Sequence, residues 1–168
     1  MSDHSNYSSE QNAGPAVRRN KPLAAVIIIF IVVVTFVLLL HRRQGIQWVT
    51  DYDAGIAAAE RLNKPALLAF YKSGIRFCWL MKQNTYNNPQ VRKFVEQNFV
   101  PIFIDVDKQP HLVKQYNVGY YPSHYLKAPR GDAIVGPRVG YDPPTLFIQQ
   151  LRQLLESLKQ QQPAREDR

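Results

Sequence analysis

The hydrophobic pattern changes period several times along the chain. Leu23 to Leu40, "LAAVIIIFIVVVTFVLLL", is a run of 18 residues whose only polar member is Thr35. Apolar on every face, it would span roughly 27 Å as a helix, close to the hydrocarbon thickness of a bilayer. A signal peptide has a shorter apolar region and small residues at its cleavage site. Here "LLLHRRQG" comes next, so an uncleaved transmembrane helix is predicted over 23–40. Beyond it, Asp53 to Leu62 is Ala-rich and helical, and Asn63-Lys64-Pro65 ends it. "ALLAFY" (Ala66 to Tyr71) is a continuous apolar run of strand length, as expected for a strand covered on both faces. Phe77 to Tyr86 reads as helix, broken at Asn87-Asn88-Pro89. Asn88 and Pro89 suit the N-cap and first position of another helix, running to about Gln97. "FVPIFIDV" (Phe99 to Val106) is a second buried strand, and Pro110 to Tyr116 a short helix. "SHYLKAP" and "AIVGPRVG" form two strands joined at "RGD", a turn signal. Asp142-Pro143-Pro144 opens a last helix, in which Phe147, Leu151, Leu154, Leu155 and Leu158 make one apolar stripe.

Strands alternating with helices, then a hairpin and a terminal helix, imply an α/β layer sandwich with a mixed central sheet. The expected organisation is a disordered tail over 1–22, the transmembrane helix over 23–40, a linker over 41–47, one folded domain over 48–160 and a disordered tail over 161–168.

Charge changes this picture little. Lys and Arg total 21 against 13 Asp and Glu in 168 residues, but Arg18, Arg19, Lys21, Arg42 and Arg43 flank the apolar run. They nearly balance across it, with a slight lean towards a cytoplasmic N-terminus, so the folded domain is expected on the periplasmic or extracytoplasmic face. From Gln44 onward 16 basic and 11 acidic residues are dispersed without basic runs, and no nucleic-acid partner is expected. With Cys78 as the only cysteine there is no internal disulfide and no zinc cluster. His4, His41 and His111 are scattered without ligand spacing, so neither a metal nor another cofactor is expected.

The order of elements resembles the thioredoxin superfamily over about Trp48 to Leu158. "KPALLAFY" resembles the strand leading into that family's active-site loop. "CWLMKQNTYNNPQVRKFVEQNFVPIFIDVD" resembles the segment after that loop in the membrane-tethered and exported thioredoxin-like branch. "YNVGYYPSHYL" resembles the loop of the cis-proline, which would be Pro122, and "VGYDPPTLFIQQL" the closing strand-to-helix connection. The resemblance implies a thioredoxin-like three-layer sandwich with a mixed central sheet, preceded by one transmembrane helix. Laid on the family's Trp-Cys-x-x-Cys pattern from both flanks, the first cysteine position falls on Ile75 and the second on Cys78. The motif is therefore a degenerate Ile75-Arg76-Phe77-Cys78, with Gly74 in place of the tryptophan. The acid that some thioredoxins keep in the preceding strand falls on Ala69.

These departures bear on chemistry. Isoleucine at position 75 cannot attack a disulfide, and Cys78 without a partner cannot complete a dithiol cycle. Free cysteine is among the most buried residue types, so Cys78 is expected in the core. The first functional expectation is a membrane-tethered thioredoxin-like protein without a dithiol site. It would bind a protein or peptide partner through Ile75, Arg76, Phe77, Tyr121 and Pro122, with Tyr120, Tyr125 and Trp79 adding aromatic surface or core. The alternative is a monothiol disulfide oxidoreductase in which Cys78 is catalytic, a partner supplies the second sulfur and Arg76 lowers the thiol pKa. A third reading is an accessory subunit of a membrane assembly. His124, two residues past Pro122, would face the same side as the proline and is read as a structural histidine, with a Cys–His pair as the sharper option. Asp105 and Asp107 read as a structural turn at a strand end.

Overall fold

The computed structural model describes residues 21–40 and 45–161, with the side chains of the first helix described over 25–36. Residues 1–20, 41–44 and 162–168, and with them most of the two predicted tails and of the linker, lie outside the described residues. The chain divides into two units, Met1–Arg43 and Gln44–Arg168.

The first unit holds helix α1, Lys21–Leu40. Its one polar side chain satisfies itself: the Thr35 hydroxyl turns back onto the Ile31 carbonyl at 2.5 Å, with that of Val32 at 3.1 Å, the usual arrangement for threonine inside a helix. Among the residues described in full, no helix is long and apolar enough to cross a membrane.

The second unit runs α2 (Tyr52–Leu62), β1 (Ala66–Tyr71), α3 (Arg76–Leu80) continuing into a π-helical turn (Met81–Tyr86), α4 (Pro89–Asn98), β2 (Val100–Asp105), α5 (Pro110–Gln115), β3 (Ser123–Lys127), β4 (Ile134–Val139) and α6 (Pro144–Gln161). Capping residues set several of these boundaries. The Asp51 carboxylate accepts the Ala54 N–H and opens α2; Asn63 closes it in the left-handed conformation, at φ 49°. The Asn88 side chain accepts the N–H groups of Gln90 and Val91, with Pro89 at the first position of α4. Each such cap contributes about 1 kcal/mol.

The sheet has the order β2-β1-β3-β4. β1 is parallel to β2 and antiparallel to β3, which is antiparallel to β4. Because β1 is central and covered on both sides, its alternate residues feed two cores. Leu67 joins Met81, Tyr86, Val91, Val95, Leu126, Phe147, Leu151 and Leu158 beneath α3, α4 and α6. Ala66, Leu68 and Phe70 join Ile102, Ile104, Leu112, Tyr116 and Tyr125 against α2 and α5. Three layers result. The packing also begins before Trp48: Ile46, which the sequence assigns to the linker, is buried and its N–H donates to the Tyr86 carbonyl at 3.1 Å.

Candidate functional site

The site lies at the carboxyl end of β1. From Tyr71 the chain crosses Lys72, Ser73, Gly74 and Ile75 into α3. Gly74 has φ +79° with open space around it, a backbone conformation that costs a side-chain-bearing residue energy. The position where the family carries tryptophan is thus one where the turn itself calls for glycine. Ile75 is the α3 N-cap in extended conformation and has no side chain able to accept a hydrogen bond there.

β1 and β3 pair directly from Phe70 with Ser123. That register brings the loop before β3, Gly119 to Pro122, next to the loop after β1. The Lys72 ammonium stands 5.9 Å over the Tyr121 ring, and the Tyr121–Pro122 peptide bond is cis. Of the residues expected to meet a partner, Arg76 and Phe77 are exposed, Phe77 at 53%, and Ile75 and Tyr121 are half-buried. Pro122 is buried, so it shapes the loop while Tyr120, 74% exposed, and Tyr121 supply its surface. Trp79 is exposed as well, and Tyr125 packs in the core. Phe77 and Trp79, two residues apart on one helix, point to different sides of it.

Cys78, between them, is wholly buried. Burial pushes its thiol pKa up; the backbone N–H of Lys72, hydrogen-bonded to the sulfur, pulls the other way without overcoming it. An apolar setting of this kind makes a thiol less reactive.

Behind the thiol lies a polar cluster. β3 places His124 directly opposite Ala69, on the same face of the sheet. The imidazole is fully buried: its Nε2 lies 2.6 Å from the Tyr86 hydroxyl, and Phe147 packs against the ring with centroids 4.9 Å apart. Nδ1 has no hydrogen-bond partner among the described residues. Burial pulls the His124 pKa down to about 4, although the Arg138 backbone and the Asp142 charge push it upward, so the ring is neutral at pH 7. Tyr86 lies well above the usual phenol range, through burial first and then the charges of Cys78 and Tyr71. Asp142, itself buried, holds Arg138 through two hydrogen bonds of 2.8 and 2.9 Å. The Thr85 hydroxyl donates to the Asp142 carbonyl at 2.6 Å, and the Asp142 N–H points at the Met81 sulfur, 3.4 Å away. These contacts fasten the π-helical turn, a rare element common at functional sites, to β3, β4 and the start of α6.

His124 is therefore paired with Tyr86, an arrangement that sequence reasoning missed along with the Arg138–Asp142 pair. The only advance signal was strand alternation after Pro122. Asp105 and Asp107 sit where a turn was read: Asp105 accepts the Asp107 N–H at 3.1 Å and pairs with Lys108. Among the described residues no group of three or more His, Cys, Asp or Glu could hold a metal ion.

Residues 34–125 match the family described as Thioredox_DsbH, protein of unknown function, DUF255. The chain belongs to this family. Spermatogenesis-associated protein 20 of Rattus norvegicus is 25% identical over 79 residues, 47% of this chain and 10% of that protein. The chain thus spans about a tenth of the length of the curated relatives it matches. Among solved structures, a thioredoxin from Thermus thermophilus is similar at 24% identity, with TM-score 0.59, covering 66% of this chain and 88% of that one. A structure named DsbH oxidoreductase is similar at 14% identity, with TM-score 0.60, covering 86% and 95%. These likenesses show the fold, and with the family match they make this a thioredoxin-superfamily domain.

Proposed function

We propose that this Thioredox_DsbH family member is a membrane-tethered thioredoxin-like protein whose Ile75–Cys78 and Pro122 loops hold a protein or peptide partner without dithiol exchange. One observation carries the reading. Around the position where the superfamily exchanges disulfides, the sole thiol is wholly buried, while Arg76, Phe77 and Tyr120 are exposed. Exposed aromatics beside a charged rim are the composition of a contact surface. Residues 23–40 serve as the anchor, supported by their uninterrupted apolar sequence and by the self-satisfied Thr35 hydroxyl. The domain then stands on the extracytoplasmic side, on the slight charge asymmetry of the flanks.

The competing reading, a monothiol oxidoreductase acting through Cys78, draws on the Lys72 N–H bonded to the sulfur, which favours a thiolate. The alkylation rate of Cys78 against pH, in the native protein and in the unfolded chain, separates the two. Strong protection in the native protein, with no reactive thiolate near neutral pH, is the expected result. Fast labelling with an apparent pKa below the roughly 8.5 of a free thiol would replace the binding role with the monothiol enzyme.

A further inference from the structure

We infer that the partner held at this face is an acidic peptide segment carrying an apolar anchor residue, an inference that rests on the binding role proposed above. Its basis is charge. Residues 72–86 and 116–125, the two segments that meet at the site, contain Lys72, Arg76 and Lys82 and no aspartate or glutamate. Arg76 is exposed and has no ion-pair partner among the described residues. It stands in the first turn of α3, where the aligned peptide dipoles disfavour a cation, so its charge does nothing for the helix that carries it.

Lys72 pairs with Asp107 at 3.2 Å, but both groups are about half exposed, and such a pair is weak and exchangeable. The other nearby acid, Asp105, is turned towards Lys108 and the Asp107 N–H. Facing outward are Phe77 and Tyr120, with Tyr121 half-exposed beneath Lys72, under a cationic rim. A partner with an apolar side chain for the aromatics and carboxylates beside it complements both features. A basic partner would meet uncompensated like charge, which costs affinity and slows encounter.

The test uses the full chain in zwitterionic micelles and two fluorescein-labelled dodecapeptides with one shared Val-Phe-Val centre, flanked by glutamates in one and by lysines in the other. In anisotropy titrations at about 0.05 M salt the glutamate peptide should bind about fivefold tighter, the ratio falling towards one near about 0.5 M. Arg76→Gln should cut the ratio at least in half, whereas Phe77→Ala should weaken both peptides alike. Equal affinities, or a ratio indifferent to Arg76→Gln, would overturn the acidic assignment and leave the binding role standing. Binding of neither peptide would remove the binding role, and the inference with it. If the glutamate peptide gains nothing while lyso-phosphatidylglycerol added to the micelles shifts tryptophan emission in an Arg76-dependent way, the face belongs to lipid and the inference is overturned.

Discussion

The two sides of the sheet solve the burial of polar atoms differently. On the α2 and α5 side the polar atoms within the apolar packing are hydroxyls that each find a partner: Tyr52 and Tyr116 lie oxygen to oxygen at 2.5 Å, Tyr125 donates to the Tyr116 carbonyl at 3.3 Å, and Ser123, opposite Phe70, donates to the Tyr120 carbonyl at 2.5 Å. On the α3, α4 and α6 side Thr85, His124 and Asp142 are buried, and one imidazole nitrogen is left without a partner among the described residues. Buried polar groups are costly unless fully satisfied. The first side therefore behaves as an ordinary core. The second carries a polar network that links the helix bearing the single cysteine to the strand after Pro122, and its stability should respond to pH and to loss of one partner.

Four measurements would break or sharpen that contrast. The largest effect belongs to the apolar side: Phe70→Ala should cost about 4 kcal/mol in denaturant unfolding, with the pH dependence of stability unchanged. Asp142→Ala, which strands Arg138, should cost about 3 kcal/mol, at the lower end for a buried pair because Arg138 is partly exposed. A loss near zero would mean the pair is replaceable by water.

The third effect is acid sensitivity. His124 titrates near 4 when folded and near 6.5 when unfolded, so the unfolded chain takes up a proton that the folded one refuses. Its contribution is fully present above pH 6.5, is lost as pH falls from there towards 4, and levels off below. About 2 kcal/mol should be gone by pH 5. His124→Leu should flatten that part of the profile; an unchanged profile would assign the acid sensitivity elsewhere. Tyr86→Phe is the smallest change, about 1 kcal/mol at pH 7, because it removes one hydrogen bond while keeping the ring against Trp48 and Phe147.

What could be read from sequence divides differently. The apolar packing was legible on both sides of the sheet. β1 is an unbroken apolar run, Asn88-Pro89 announces a cap, and the stripe from Phe147 to Leu158 faces a core, with Phe147, Leu151 and Leu158 fully buried and Leu154 and Leu155 partly so. All three signals are local, set by neighbours within about two turns or one strand. At the candidate site, the departure from a paired-cysteine motif was legible, because a missing sulfur is a property of the chain alone. The polar network was not. Ala69 gives no hint that an imidazole lies across from it, and neither Tyr86 nor His124 carries a signal for the other at 38 positions' separation.

The sequence alone thus determined the order of elements, the resemblance to the thioredoxin superfamily, the absence of a second thiol and the apolar run of 23–40. The tertiary structure decided that Cys78 is sealed, that Pro122 is buried while Tyr120 is exposed and Tyr121 half-buried, and that Tyr86, His124, Arg138 and Asp142 cluster behind the thiol. The physical reason is range. Propensity, capping and periodicity act over a few residues, whereas the site is made by β1–β3 register and by the packing of α3 and α6 on one face of the sheet, contacts that arise only when distant segments meet.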